Sequence, residues 1–170
     1  MKLAFLYAGQ GAQHVGMGRD FYEQFPLFRD VFDAAPVDFD LKKLCFEGPE
    51  EQLSDTRYTQ PCMVAFAAGV TGLLYQAGIH PAMAAGLSLG EYSALTAAGV
   101  FDPKTAIELV AFRGKAMAEA VTGRPCGMAA VLHLEREKLQ AACDAASALG
   151  VAEIANYNCP GQLVIAGDAA

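Results

Sequence analysis

Residues 84–99 read AAGLSLGEYSALTAAG, and this stretch decides the fold class. Its centre, residues 86–90, fits the pattern G-x-S-x-G, which places a serine on a sharp turn between a strand and a helix. Small residues suit such a turn, because larger side chains would collide with the neighbouring strand and helix. We therefore expect Ser88 to adopt strained backbone geometry at a helix start, where free N–H groups favour a developing oxyanion.

Strands and helices alternate on both sides of this turn. The sequence predicts a first strand over Leu3–Ala8, a charge-free helix opening at Pro61, a short strand over 81–86 and a long helix from Pro103. Such alternation predicts an α/β fold with a parallel sheet covered by helices. A serine before a helix is also a common N-cap, so the pattern leaves Ser88 with two interpretations, nucleophile or cap.

The composition changes near the sequence TGRPCG, and we predict a domain boundary there. Residues 1–122 would form the N-terminal part of an α/β domain. Residues 123–170 would form part of a small ferredoxin-like subdomain, with elements in the order β-α-β-β. Asp168 reads as the N-cap of a further helix, so we expect the chain to be a truncated part of a longer fold.

The composition excludes several classes of function. The net charge is −7 and there is no long basic run, which argues against nucleic acid as a partner. Five cysteines without a CxxC pair or a histidine cluster indicate reduced thiols in a cytoplasmic protein and no metal site. The charge-free segment 58–90 is interrupted by prolines and polar residues, so we expect no membrane span.

A glycine-rich loop, AGQGAQ, follows the first predicted strand at residues 8–13. It fits neither the dinucleotide-binding pattern nor a P-loop. It does stand at the carboxyl end of a strand, the edge where α/β sheets bind their ligands. We expect this loop and the residue after Ser88 to supply backbone N–H donors to an oxyanion.

Five motifs together carry a resemblance to a known family. They are GQGAQ (9–13), TQP (59–61), GLSLGEYSAL (86–95), RGKAM (113–117) and NCPGQLVIAG (158–167). In this order and spacing they resemble the N-terminal part of the malonyl-CoA:acyl carrier protein transacylases. The acyltransferase domains of fatty-acid and polyketide synthases are more distantly similar.

The resemblance implies an acyltransferase of fatty-acid biosynthesis that needs no cofactor. Its partners would be malonyl-CoA and acyl carrier protein, with the malonyl group passing to the phosphopantetheine thiol through a seryl ester. Ser88 would be the acylated nucleophile, and the backbone N–H groups of Gln10 and Leu89 would form the oxyanion hole.

Arg113 is the predicted substrate-binding residue on the long helix. It lies on an otherwise apolar face with no acidic residue three or four positions away, so its guanidinium needs an anion from elsewhere. A snorkelling side chain or a distant ion pair is the alternative. The resemblance implies that Arg113 holds the free malonyl carboxylate, and that Asn158 and Gln162 also contact the substrate.

Two features depart from the family pattern. Leu87 stands where the family has a histidine before the nucleophile. The general-base histidine of the family would lie beyond residue 170, so we expect the chain alone to be inactive and marginally stable. Of the histidines present, we expect His80 and His133 to lie far from Ser88, and His14 to be the one candidate for reaching it.

Two other functions remain open at this stage. An α/β-hydrolase of the esterase or thioesterase type also uses G-x-S-x-G, with water as the acceptor. A non-catalytic module that binds acyl carrier protein or coenzyme A would explain the missing base. Transfer to a thiol distinguishes the acyltransferase from the first alternative, and acylation of Ser88 distinguishes it from the second.

Overall fold

The structure is a computed structural model that describes residues 2–169. The chain divides into two units, residues 1–119 and residues 120–170. The first contains β1 (Ala4–Tyr7), α1 (Arg19–Gln24), α2 (Pro26–Asp33), α3 (Leu41–Glu47), α4 (Glu50–Leu53), α5 (Thr56–Gln76), β2 (Met83–Gly86), α6 (Leu89–Ala97) and the body of α7 (Pro103–Ala120). The second contains β3 (Cys126–Leu132), α8 (Arg136–Ala146), β4 (Ala152–Cys159) and β5 (Gln162–Asp168).

The sheet of the first unit consists of two parallel strands. β1 pairs with β2 so that Ala4 lies opposite Met83 and Tyr7 lies opposite Gly86. Alternate residues are half-buried, while Leu6 is 80% and Met83 62% exposed. The predicted α/β class with a parallel sheet is confirmed, and the register brings the ends of both strands to the same edge.

The helices of the first unit pack through an aromatic core. Phe28 is fully buried and stacks on Phe32, with ring centroids 4.7 Å apart. A Cβ at Gly69 would overlap the Phe28 ring, so the glycine lets α5 pack closely against α2. This packing fixes α5, the helix from which one side of the candidate site is built.

The start of α5 corrects one prediction. The helix was expected to open at Pro61, but it begins at Thr56 and Pro61 lies inside it. The physical reason is the cap: the Asp55 carboxylate accepts a hydrogen bond from the Arg57 N–H at 2.9 Å. The extra turn places Thr56 and Gln60 on the helix.

The second unit contains a three-stranded antiparallel sheet in the order β3-β5-β4. β4 and β5 form a hairpin across Pro160–Gly161, where Gly161 has φ 84° as the second turn position requires. The elements follow the predicted order β-α-β-β. The predicted domain division at residues 122 and 123 stays a prediction.

Asp168 lies at the end of the sheet of the second unit. It ends β5, and its carboxylate accepts hydrogen bonds from the Val151 N–H and from Arg124, both at 2.9 Å. The predicted N-cap of a further helix concerns residues outside those that the structure describes, so it stays a prediction. Separately, none of the helices within residues 2–169 has the length and apolarity of a membrane-spanning helix.

Candidate active site

Ser88 occupies a strained turn between β2 and α6. Its backbone angles are φ 52° and ψ −105°, which non-glycine residues rarely adopt. Its side chain makes no capping hydrogen bond to the helix that follows. The expected strain is confirmed, and Ser88 is an exposed residue whose side chain does not cap the helix.

Two glycines make this turn sterically feasible. A Cβ at Gly86 would overlap the backbone of Gly90, and a Cβ at Gly90 would overlap the carbonyl oxygen of Tyr7. β1, β2 and the first turn of α6 therefore meet at backbone contact distance. The crowding predicted from the G-x-S-x-G pattern is present on both sides of Ser88.

The glycine loop after β1 lies beside the same turn. A Cβ at Gly9 would come within 3.1 Å of the Leu87 carbonyl oxygen, so the two segments are in contact. Leu89 is the first residue of α6, where a backbone N–H has no acceptor within the helix. Gln10 follows Gly9, and its side-chain Nε2 donates to Thr56 Oγ1 at 3.0 Å. The oxyanion hole of Gln10 and Leu89 stays a prediction.

Arg113 connects Ser88 to two other side chains. Its Nη2 donates to Ser88 Oγ at 2.9 Å, and its Nη1 donates to Gln60 Oε1 at 2.7 Å. The guanidinium carbon also lies 5.7 Å from the centre of the Tyr92 ring, within cation–π range. The expectation that Arg113 faces the same site as Ser88 is confirmed.

A close approach of two helices sets this geometry. A Cβ at Gly114 would come within 2.6 Å of the Thr56 carbonyl oxygen, so the α7 backbone lies against the first turn of α5. This contact brings Arg113 within reach of Gln60, one turn further along α5. Thr56 also accepts the hydrogen bond from Gln10. The start of α5 therefore anchors both the glycine loop and α7.

The positive charge of Arg113 is not neutralised by any ion pair described within residues 2–169. The pairs there are Lys42–Asp33, Arg57–Asp55, Arg124–Asp168 and Lys138–Glu135. The partners of Arg113 are an amide oxygen, a hydroxyl and an aromatic ring, all of them uncharged. A guanidinium with this environment can bind a carboxylate bidentately.

The two cysteines of the first unit are not suited to act as nucleophiles. Cys45 and Cys62 are both fully buried. The hydrogen bond with Cys45, together with burial, raises the pKa of the Cys62 thiol. A thiol held protonated in this way does not supply the reactive thiolate.

Within the described part of the chain, no group of three or more His, Cys, Asp or Glu side chains could hold a metal ion.

The three histidines occupy different parts of the chain. His80 stacks on the Tyr75 ring at 4.8 Å, before β2 begins and so away from the end that carries Ser88. His133 follows β3 in the second unit, and its backbone N–H donates to the Gly161 carbonyl. His14 lines a cavity beside β1 and α5. Across residues 2–169, none of the described hydrogen bonds joins a histidine to Ser88.

Asn158 and Gln162 face each other across the hairpin of the second unit. The Asn158 Nδ2 donates to Gln162 Oε1 at 3.0 Å, which fixes both side chains on one face. Their contact with substrate stays a prediction. Leu87, the departure from the family pattern, is 57% exposed next to Ser88.

Sequence reasoning did not assign a role to Gln60. It is fully buried on α5, in the TQP motif that contributed to the resemblance. The available signal was an amide in the charge-free segment 58–90, in a chain that also carries an arginine lacking a local acidic partner. Their pairing spans 53 residues and depends on the approach at Gly114.

Comparisons with known proteins find a family and similar proteins for this chain. The family model for the acyl transferase domain matches residues 4–170. The malonyl CoA-acyl carrier protein transacylase of Bacillus subtilis is 43% identical over 99% of this chain and 54% of its own length.

Two solved structures are also similar. An acyl-carrier-protein-S-malonyltransferase from Bartonella henselae superposes with a TM-score of 0.92 at 38% identity, over 99% of this chain and 56% of that one. A malonyl-transacylase in complex with its type II PKS acyl-carrier protein gives a TM-score of 0.89 at 39% identity, over 99% and 55%. The chain spans about half the length of these relatives.

Proposed function

We propose a function for this chain from one premise: the chain belongs to the acyl transferase domain family. It contributes the nucleophile and the acyl-binding residues of a transacylase that moves malonyl from coenzyme A to acyl carrier protein, in fatty-acid biosynthesis in the cytoplasm. The observation that carries the proposal is the 2.9 Å hydrogen bond from Arg113 to Ser88 Oγ. It places a cation without an acidic partner beside a strained, exposed serine.

In the first half-reaction, Ser88 Oγ attacks the thioester carbonyl of malonyl-CoA. A general base accepts the hydroxyl proton, a bond forms from Oγ to the carbonyl carbon, and the carbon–sulfur bond breaks to release coenzyme A. Under the proposal the base is a histidine outside residues 1–170. The strained turn contributes by presenting Oγ at the surface, away from the helix backbone.

The negative charge that develops on the carbonyl oxygen needs hydrogen-bond donors. The Leu89 N–H is free of any helical acceptor, and the loop that carries Gln10 contacts the same turn through Gly9. We assign the two N–H groups of Gln10 and Leu89 to this oxyanion. Donors fixed in place before reaction stabilise such charge strongly, because they need no reorganisation.

Arg113 selects the acyl group. The free carboxylate of a malonyl ester lies one methylene away from the ester carbonyl, so a guanidinium that reaches Ser88 Oγ also reaches the carboxylate. An acetyl group offers no such partner. Arg113 therefore favours malonyl over acetyl by a charge-assisted hydrogen bond.

In the second half-reaction, the phosphopantetheine thiol of acyl carrier protein attacks the carbonyl carbon of the seryl ester. A carbon–sulfur bond forms, the bond from Ser88 Oγ to that carbon breaks, and the thiol proton passes through the general base to Oγ. A relative in complex with its acyl-carrier protein supports this acceptor. Asn158 and Gln162, held together on one hairpin, are the proposed polar contacts to the substrate from the second unit. No step uses a metal or a cofactor.

The test is to follow malonyl from radiolabelled malonyl-CoA in the native full-length protein. We expect label on the peptide that contains Ser88, followed by transfer to the thiol of acyl carrier protein. The Ser88→Ala variant should carry no label, since the nucleophile is absent. Ser147→Ala, which changes an exposed serine directly after α8, is the matched control and should be labelled normally.

Two results would contradict the proposal, each in favour of one alternative. Label that forms on Ser88 but passes to water, and not to the thiol, would indicate an esterase or thioesterase. Binding of malonyl-CoA without any acylation of Ser88 would indicate a non-catalytic binding module.

A further inference from the structure

Gln60 is the buried partner of Arg113. Its side chain is fully buried on α5, and its Oε1 accepts a 2.7 Å hydrogen bond from Arg113 Nη1. Its Nε2 donates to Met117 Sδ at 3.4 Å, one turn beyond Arg113 on α7. A buried amide is costly unless it is hydrogen-bonded, and here both of its ends have partners on α7.

The chemistry of these partners fixes the orientation of the amide. A guanidinium has only donors, so it faces the oxygen of Gln60 and not the nitrogen. A thioether sulfur is a weak acceptor, so it suits the amide nitrogen. Gln60 therefore holds Nη1 of Arg113 in place, while Nη2 points to Ser88.

The neutrality of Gln60 decides what else Arg113 can bind. A carboxylate at this buried position would form an ion pair with the guanidinium and satisfy its charge. An amide oxygen accepts the same hydrogen bond but leaves the positive charge uncompensated. Tyr92, which packs near the guanidinium, is uncharged as well.

We propose that Gln60 is a positioning residue that determines acyl specificity: it orients Arg113 for a carboxylate-bearing acyl group without neutralising its charge. The inference rests on the proposed function, since it concerns how the same site distinguishes acyl groups. The substrate class that it predicts is an acyl thioester with a free carboxylate close to the thioester carbonyl.

The decisive variant is Gln60→Glu in the native full-length protein, because it changes the charge and keeps the shape. The measurement is kcat/KM for malonyl-CoA and for acetyl-CoA, with the fold of each variant checked by circular dichroism. We expect malonyl transfer to fall roughly 10- to 150-fold, the range for losing a hydrogen bond between charged groups. Acetyl transfer should change far less.

Two further variants complete the design. Gln60→Met removes the acceptor without adding charge, and should raise the KM for malonyl-CoA more than it lowers kcat. Gln76→Glu introduces the same carboxylate at the exposed end of the same helix, about 24 Å away at 1.5 Å per residue. It should leave the preference for malonyl unchanged.

The outcomes separate this inference from the function on which it rests. Equal losses of malonyl and acetyl transfer in folded Gln60 variants would show that Gln60 only supports the fold. An unchanged preference in both Gln60 variants would also overturn the inference. A native protein that does not prefer malonyl would overturn the proposed function first, before any variant is compared.

Discussion

The two units of the chain bury very different amounts of side chain. In the first, large residues such as Phe28, Leu53 and Ile107 are almost completely buried in one cluster. In the second, the buried cluster of the described residues is Leu139, Cys143 and Leu163, and β3 is exposed along most of its length. The first unit is held by its core, and the second mainly by strand pairing.

This difference explains which unit carries the precise geometry. The hydrogen bonds of Arg113 to Ser88 and Gln60 join three elements separated widely in sequence. Such a network needs helices whose backbones cannot shift, and dense cores resist shifts. The pair Asn158–Gln162 is joined across a single hairpin, and needs only the local turn.

The largest expected effect is on stability, and it tests this comparison directly. Phe28→Ala should destabilise the first unit by about 3–5 kcal/mol, because it removes a fully buried ring from a packed core. Leu139→Ala in the second unit should cost less, about 2 kcal/mol, since the small cluster can relax toward solvent. Native-state hydrogen exchange of the full-length protein, read separately for each unit, measures both losses. Equal losses would show that the second unit depends on its core as much as the first.

A smaller effect, on the rate of malonyl transfer, is expected from Arg113→Ala. Loss of a hydrogen bond to the malonyl carboxylate should cost about 1.5–3 kcal/mol, or roughly 10- to 150-fold in malonyl transfer. Acetyl transfer should fall much less. The matched control is Arg136→Ala, which removes an arginine that lies over Tyr157 in the second unit. If malonyl and acetyl transfer fell equally in Arg113→Ala, the role of Arg113 would be structural.

The smallest expected effect concerns acid stability of the second unit. The Val151 N–H and the Arg124 guanidinium hold the pKa of Asp168 below its usual value. A carboxyl group with a lowered pKa stabilises the fold above the unfolded value of about 3.9, and loses that contribution as the pH falls through the folded value. Asp168→Asn should therefore weaken the unit at neutral pH and flatten its acid dependence.

Hydrogen exchange of β5 amides between neutral and acidic pH measures this change. Asp144→Asn on the exposed side of α8 is the control, and should leave the pH dependence as it is. An Asp168→Asn variant with an unchanged acid transition would show that this carboxylate does not link the hairpin to Val151.

The sequence predicted the features that depend on neighbouring residues. The turn at Ser88 follows from glycines two positions before and after it, and the structure shows the crowding that requires them. The pairing of Ser88 with Arg113 was expected through the family resemblance.

Two features that the sequence did not predict are the start of α5 and the role of Gln60. The first depends on which of two residues begins the helix, and the second on a contact between distant parts of the chain. Asp55 caps α5, so the helix begins at Thr56 and not at Pro61. The role of Gln60 depends on the close contact at Gly114 between α5 and α7. A linear sequence does not specify which helices approach so closely.

The backbone contacts around Ser88 also have an evolutionary consequence. Any mutation that adds a side chain at Gly86 or Gly90 meets backbone, so selection for folding removes it whatever the protein binds. Leu87 lies between them, yet its side chain points to the surface and is free of that constraint. Lineages that descend from one ancestor can therefore diverge beside the nucleophile at residue 87 while inheriting the turn unchanged. Leu87, where the resemblance implies a histidine, occupies such a position.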